Sequence, residues 1–191
     1  NFKLKKYNFT ITKNPKIIKN QDIIFPLNYT KILSEDFLKK NKLTLIVHSS
    51  KLPKDKGFAP AQYQILKNKK KIYVSLFKAV KKVDAGPIYL QDYFLLNGTE
   101  LSDEIRHKQG SAIIKIIKKF LVKYPKVKMI NQIGKGNFNR RRYLKNSELD
   151  INKSIKLQFN HMRINDNELY PSFFKHKNCE YILKIYKKNK S

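Results

Sequence analysis

Two short segments hold the residue types best suited to moving protons. One is His48-Ser49-Ser50-Lys51-Leu52-Pro53-Lys54-Asp55-Lys56-Gly57, with Pro60 soon after; the other is Val83-Asp84-Ala85-Gly86. His48 closes the apolar run Leu43 to Val47, which has the pattern of a buried parallel strand. Open α/β sheets bind their ligands at the carboxyl ends of such strands. An imidazole side chain is of the type that can take up and return a proton. A carboxylate such as Asp84 can orient that ring or receive a proton itself. Taken singly, each is an ordinary residue, a histidine ending a strand and an aspartate in a turn.

The other chemistry-bearing residues are less pointed. Arg140, Arg141 and Arg142 can grip phosphates or form a solvated basic linker. His107, His161 and His176 have no ligand spacing between them, so no metal site is expected. The single cysteine, Cys179, excludes an internal disulfide framework. It reads as a small buried residue and not as a nucleophile.

These residues need elements to hold them. Tyr7, Phe9 and Ile11 alternate as a strand, and Ile23 to Phe25 reads as a second, buried one. Ser34 followed by Glu35 and Asp36 starts a helix. Leu43 to Val47 is the strand ending at His48, and residues 49–60 form a loop rich in Ser, Lys, Pro and Gly. Pro60 opens a short helix carrying Gln62 to Leu66. Lys71 to Ala79 and Ile88 to Leu95 are strands flanking the Asp84-Ala85-Gly86-Pro87 turn. Thr99 is expected to cap a helix running to about Lys123, with Leu101, Ile105, Ala112, Ile116 and Phe120 on its buried side. Gly110 inside that helix implies close packing there. Asp150 opens a second helix with Ile151, Ile155, Phe159, Met162 and Ile164 on one face. Leu169 to Phe174 and Glu180 to Tyr186 close the chain as a hairpin about Lys177-Asn178.

The expectation is an α/β chain: a Rossmann-like, mostly parallel sheet flanked by helices, then a small helix and β-hairpin. Three parts are expected, with residues 1–130 as the main domain, 131–149 as a basic linker and 150–191 as a C-terminal subdomain. The chain opens at Asn1 with a strand that no strand–helix unit precedes, so the first such unit is expected to be missing.

Bulk composition sets limits. A chain of 191 residues, 41% hydrophobic with 11 Tyr and 12 Phe, has enough apolar material for one folded domain with a core. No run of about 18 apolar residues exists to span a membrane, and the cytoplasm is the expected compartment. The net charge of +28 invites a nucleic-acid reading, since Lys and Arg displace counterions from phosphates. Yet the lysines are spread through nearly every stretch, and only five of the 42 basic residues are Arg. Dedicated nucleic-acid surfaces concentrate their charge and favour the Arg fork. A surface bias that attracts anionic ligands fits this distribution better.

The two loops together resemble the signature of the folate-dependent formyltransferase family. Its pattern runs roughly Asn-x-His-x-Ser-x-Leu-Pro-x-x-x-Gly-x-x-Pro, then an Asp-x-Gly turn. His48, Ser50, Leu52, Pro53, Gly57 and Pro60 match the first part, and Asp84 and Gly86 match the second, 36 positions after His48. Similarity extends over about residues 20–187, through Gln91, Arg141-Arg142, Ser147 and Tyr170-Pro171-Ser172-Phe173-Phe174. That tail and Ser147-Glu148-Leu149-Asp150 look most like the sugar-modifying branch.

The resemblance implies a formyl transfer from N10-formyltetrahydrofolate to an amine, with His48 and Asp84 catalytic and no metal. It implies Ser50, Leu52, Pro53, Val83, Ala85 and Gly86 around the folate, and Gln62, Gln64, Arg141 and Arg142 around the acceptor. The acceptor it implies is a nucleotide-linked amino sugar; transfer to methionyl-tRNA and an inactive, basic RNA-binding relative are the rivals. A homodimer is left open. One position departs from the pattern: Ile46 stands where the family has a catalytic Asn, and an apolar side chain cannot hydrogen-bond an oxyanion.

Overall fold

The computed structural model describes residues 7–188. In chain order the elements are α1 (Glu35–Lys39), β1 (Leu45–His48), β2 (Lys56–Gly57), α2 (Pro60–Leu66), β3 (Lys71–Lys78), β4 (Ile88–Leu95) and α3 (Ser102–Lys123). They are followed by β5 (Phe138–Asn139), α4 (Ile155–Arg163), β6 (Ser172–His176) and β7 (Cys179–Leu183). The chain is α/β, with helices against a sheet and a closing hairpin.

The sheet has the order β1-β3-β4, and both pairings are antiparallel, with His48 opposite Ser75 and Ser75 opposite Gln91. Parallel pairing among the described residues is limited to β2 with β5 and to the bridges Ile24–Thr44 and Glu148–Phe173. The sheet is therefore less parallel than expected. Residues 79–87, which join β3 to β4, are too few for the crossover that parallel neighbours require.

The Ile23-to-Phe25 run lies alongside β1, with Ile24 N–H donating to Leu43 at 2.8 Å and Leu45 N–H donating to Ile24 at 2.8 Å. The next rung would need an N–H from residue 26, and Pro26 has none. The ladder stops there, leaving a bridge in place of a strand. Residues 7–12 are not a strand either; Ile11 is 98% exposed, and alternation without a partner edge leaves the ladder bonds unmade.

The core forms where β3 meets α3. Ile72, Val74 and Leu76 of β3, Leu45 of β1, Ile65 of α2, and Ile116 and Phe120 of α3 are all fully enclosed. Phe120 meets the rings of Tyr89 and Phe25 edge-on, a favoured aromatic geometry. The other face of β3 is enclosed as well: Ser75 and Phe77 are buried, and the loop after His48 folds back over Ser75.

Several helix details correct the expectations. Ser34 caps α1, accepting from Phe37 N–H at 3.1 Å, as its position suggests. Helix α3 starts later than Thr99. The Thr99 N–H and hydroxyl are both taken by the Asn97 side chain, and Glu104 accepts the Leu101 N–H at 2.8 Å. Gly110 is exposed, and a Cβ there would meet nothing within 4 Å; close packing is not its role. Helix α4 is capped by Ser154, because Asp150 is used in a separate turn, where its side chain accepts from Asn152 N–H at 3.0 Å. Ile151 and Ile155 consequently lie on the surface. Cys179 is exposed where β7 begins, so it is not the small buried residue expected.

Among the described residues, no helix is long and apolar enough to cross a membrane.

Candidate active site

His48 ends β1 at the point where the chain leaves the sheet, and the loop that follows is tied down one bond at a time. The Ser50 N–H donates to the His48 carbonyl at 2.9 Å. The Ser75 hydroxyl, on the neighbouring strand, donates to the Ser50 carbonyl at 2.7 Å and accepts from Leu52 N–H at 3.3 Å. Gln91, one strand further, reaches both Ser75 Oγ at 2.8 Å and the Leu52 carbonyl at 3.2 Å. The Leu52–Pro53 peptide is cis. Gly136 lies against Pro53 so tightly that a Cβ would sit 2.1 Å from its carbonyl oxygen.

The same loop turns at Asp55 and reaches β2, which pairs with β5. Gly57 has φ +87°, and any Cβ there would fall 2.5 Å from the Asn139 carbonyl oxygen; both facts require glycine. Its N–H points to the carboxylate of Asp84, donating to Oδ2 at 2.8 Å. Asp84 itself has φ +50°. Its turn is bridged by the Gln132 amide, which donates to the Asp84 carbonyl at 2.9 Å and the Gly86 carbonyl at 2.8 Å.

Two loops far apart in sequence thus bring His48 and Asp84 together. Both are only 9% exposed, and Asp84 Oδ1 lies 3.7 Å from His48 Nδ1. That separation exceeds a hydrogen bond. The other ring nitrogen, Nε2, lies 2.9 Å from the Asp55 carbonyl oxygen. The arrangement differs from a hydrolase triad, in which the acid accepts Nδ1–H and Nε2 faces the substrate. Here the lining is an imidazole, a carboxylate oxygen and peptide groups, a set that handles protons and polar ligands. Ile46, two residues before His48 on β1, is half-buried and supplies no donor.

The remaining sequence-derived residues divide by location. Ser50 is fully enclosed with its hydroxyl unpartnered, Leu52 is buried and Pro53 is half-buried, all in the loop beside His48. Val83 is exposed, Ala85 half-buried and Gly86 buried on the Asp84 turn. Gln64 is used internally, donating to the Ser49 carbonyl at 2.6 Å while its oxygen accepts from Tyr73 N–H at 3.3 Å. Gln62 donates to the Ile164 carbonyl at 3.2 Å, tying α2 to the end of α4. Arg142 is half-buried and donates to the Asn146 carbonyl at 2.8 Å; burial holds its guanidinium below the usual value. Arg141 is exposed and lies over the rings of Phe58 and Tyr143 at 5.7 and 6.0 Å.

Sequence reasoning missed Asp55, Asn137, Ser75 and Gln132. Asp55 carried a faint signal, an acid isolated among lysines between Pro53 and Gly57. Asn137 and Gln132 carried none, being polar residues in an irregular basic stretch. Among the described residues, no group of three or more His, Cys, Asp or Glu side chains is gathered to hold a metal ion.

With this geometry in hand, comparison with known proteins is informative. A family model described as formyl transferase matches residues 14–117. The chain is 34% identical over 147 residues to bifunctional polymyxin resistance protein ArnA of Wigglesworthia glossinidia brevipalpis, covering 74% of this chain and 22% of that protein. Methionyl-tRNA formyltransferase of Mycoplasma genitalium is 33% identical over 141 residues, covering 71% of this chain and 44% of that protein. The chain therefore spans less than half the length of either curated relative. A solved sugar N-formyltransferase from a Shewanella species shares the fold with a TM-score of 0.70, over 90% of this chain and 71% of that one, at 11% identity.

Proposed function

The chain belongs to the formyl transferase family, and on that premise we propose that it moves a formyl group from N10-formyltetrahydrofolate to an amine at the His48–Asp84 pair. The observation that carries this reading is the 3.7 Å approach of the imidazole and the carboxylate, which come from two different loops. An amine nitrogen attacking the formyl carbon must lose a proton, and the departing folate nitrogen must gain one. A neutral imidazole can do both in turn. Asp84 stabilises the ring while it is charged, and the Gly57 N–H holds that carboxylate in position.

The polar groups nearby suit a folate. Gln132 Oε1 beside the Asp84 turn and Asn139 Nδ2 beside Gly57 are buried and unpaired, an acceptor and a donor of the kind that a pterin edge complements. The Ser50 hydroxyl in the same loop is unpaired too. Leu52, Pro53, Val83, Ala85 and Gly86 complete the proposed folate wall. Residues 1–130 would form the catalytic part, 131–149 a connecting segment and 150–191 a small appended unit.

For the acceptor, the favoured reading is the amino group of a nucleotide-linked sugar. The Tyr170-Pro171-Ser172-Phe173-Phe174 stretch supports it. So does Arg141, exposed beside two aromatic rings, where a phosphate and a base could both be met. Gln62, Gln64 and Arg142 would act chiefly by shaping that side of the site. The net charge of +28 and the similarity to a methionyl-tRNA formyltransferase favour the methionyl-tRNA reading. Ile46 and the same charge favour a third reading, an inactive RNA binder.

The test is a transfer assay with N10-formyltetrahydrofolate and a panel of amino sugar nucleotides, with methionyl-tRNA alongside. Formylated sugar nucleotide that disappears with His48→Ala is the expected result. Product from methionyl-tRNA alone would replace the acceptor assignment. No product from any acceptor, together with salt-sensitive RNA binding, would remove the enzymatic one.

A further inference from the structure

The imidazole of His48 has two nitrogens, and the protein commits one of them. A main-chain carbonyl can only accept, so the 2.9 Å contact between Nε2 and the Asp55 carbonyl requires the proton to sit on Nε2. In the neutral ring the lone pair is then on Nδ1, the nitrogen that faces Asp84 Oδ1. We infer that Asp55 is a positioning residue whose main-chain carbonyl fixes this tautomer, and that Lys67 and Asn137 hold it in place. Nδ1 is thereby made the proton acceptor.

Asp55 is built into the fold far more firmly than a loop aspartate needs to be. Its side chain is 5% exposed, and its φ of +55° is a conformation that needs outside support. Lys67, at the end of α2, donates to its Oδ1 at 2.7 Å. Asn137 clamps the same residue twice, donating to Oδ1 at 3.0 Å and accepting from the Asp55 N–H at 2.9 Å. The Lys56 N–H then donates to the Asn137 carbonyl at 3.0 Å. Burial pushes the Asp55 carboxyl up, but the bonds from Lys67 and Asn137 more than offset this and hold it below the usual range. Two further segments, those carrying Lys67 and Asn137, therefore converge on one residue whose carbonyl is aimed at the imidazole.

The chemistry follows from the tautomer. Nδ1 and Asp84 Oδ1 are both acceptors, too far apart to share a proton of their own, and an incoming amine carries the N–H groups that can satisfy them. As the amine nitrogen bonds to the formyl carbon, its proton passes to Nδ1. The resulting imidazolium returns a proton to the folate nitrogen as its bond to the formyl carbon breaks. This role for Nδ1 rests on the formyl-transfer reading; the tautomer does not.

The test is long-range 1H–15N correlation NMR of histidine-labelled protein above the ring titration, with the His48 signal assigned by its loss in His48→Ala. In the wild type, a protonated Nε2 and a bare Nδ1 are expected. In Asn137→Ala, and separately in Asp55→Asn, a mixture of the two tautomers is expected. Protonation at Nδ1 in the wild type overturns the assignment. A pure Nε2–H tautomer that persists in both variants overturns the positioning role. In an active enzyme, Asn137→Ala should lower kcat roughly tenfold with little change in KM for the folate; an equal loss through KM alone counts against positioning. Because the NMR needs no substrate, failure of the formyl-transfer reading would appear separately, as a wild type that formylates nothing yet keeps the tautomer.

Discussion

Glu100 offers a quantitative test of how the C-terminal part of the chain is held to the sheet. Its carboxylate is 4% exposed and lies 3.8 Å from the Arg163 guanidinium of α4, itself 3% exposed. Arg163 also donates to the Glu100 carbonyl at 3.1 Å. The carboxylate accepts from Asn97 N–H at 2.9 Å, Gly98 N–H at 3.1 Å and Lys108 at 2.5 Å. Burial pushes this carboxyl up, but the bonds from Lys108 and the two peptide N–H groups outweigh it and bring it from 4.5 down to about 2. A displacement of that size corresponds to about 3 kcal/mol of folding free energy. The depressed value sets the sign: the stabilisation is complete above 4.5 and is lost as the pH falls through about 2. Glu100→Gln should therefore be about 3 kcal/mol less stable at pH 7, with an added cost from leaving Arg163 buried and unpaired. Urea unfolding followed by circular dichroism at pH 7, 5, 4 and 3 measures both proteins. The gap should narrow steadily below pH 5. A gap under about 1 kcal/mol at pH 7, or one that stays constant with pH, would refute the reasoning.

Three further substitutions probe the site and its supports. Gly110→Ala should stabilise the protein by about 0.5–1 kcal/mol, because the position is an open helix interior; a lower urea midpoint would mean a constraint not seen in the fold. Gly86→Ala would place a Cβ 1.7 Å from the Lys78 carbonyl oxygen, so a loss of about 2 kcal/mol or more is expected. A variant within 0.5 kcal/mol of wild type would show that the Asp84 turn does not press on β3. Ser50→Ala removes a buried hydroxyl without a partner and keeps the carbonyl that Ser75 holds. Its thermal stability should be unchanged or raised by about 1 kcal/mol, while weaker folate binding would reveal a ligand for that hydroxyl; a clear drop in melting temperature would contradict this.

Legibility in the sequence tracked the range of the interactions involved. Helix α2 begins at Pro60 and β4 runs Ile88–Leu95, both where the residues indicate, because proline geometry and alternation act over a few positions. The hairpin turns at Lys177 and Asn178, both with positive φ, for the same reason. The Thr99 cap failed because the Asn97 side chain competes for the same groups, and the Ile23-to-Phe25 strand failed at Pro26. Burial of α4 was overstated at Ile151 and Ile155, since periodicity reports a face but not whether anything covers it.

Residue type and spacing alone determined that an imidazole and a carboxylate stand in two Gly-Pro-punctuated loops, which is why an acid–base pair could be proposed without coordinates. Which nitrogen of His48 is free to act, and that Asp55, Asn137, Ser75 and Gln132 hold the two loops in register, were decided only by the tertiary fold. Asn137 meets Asp55 across 82 positions and Gln132 meets Asp84 across 48. Contacts at that range depend on how the chain closes on itself, and no local pattern encodes them.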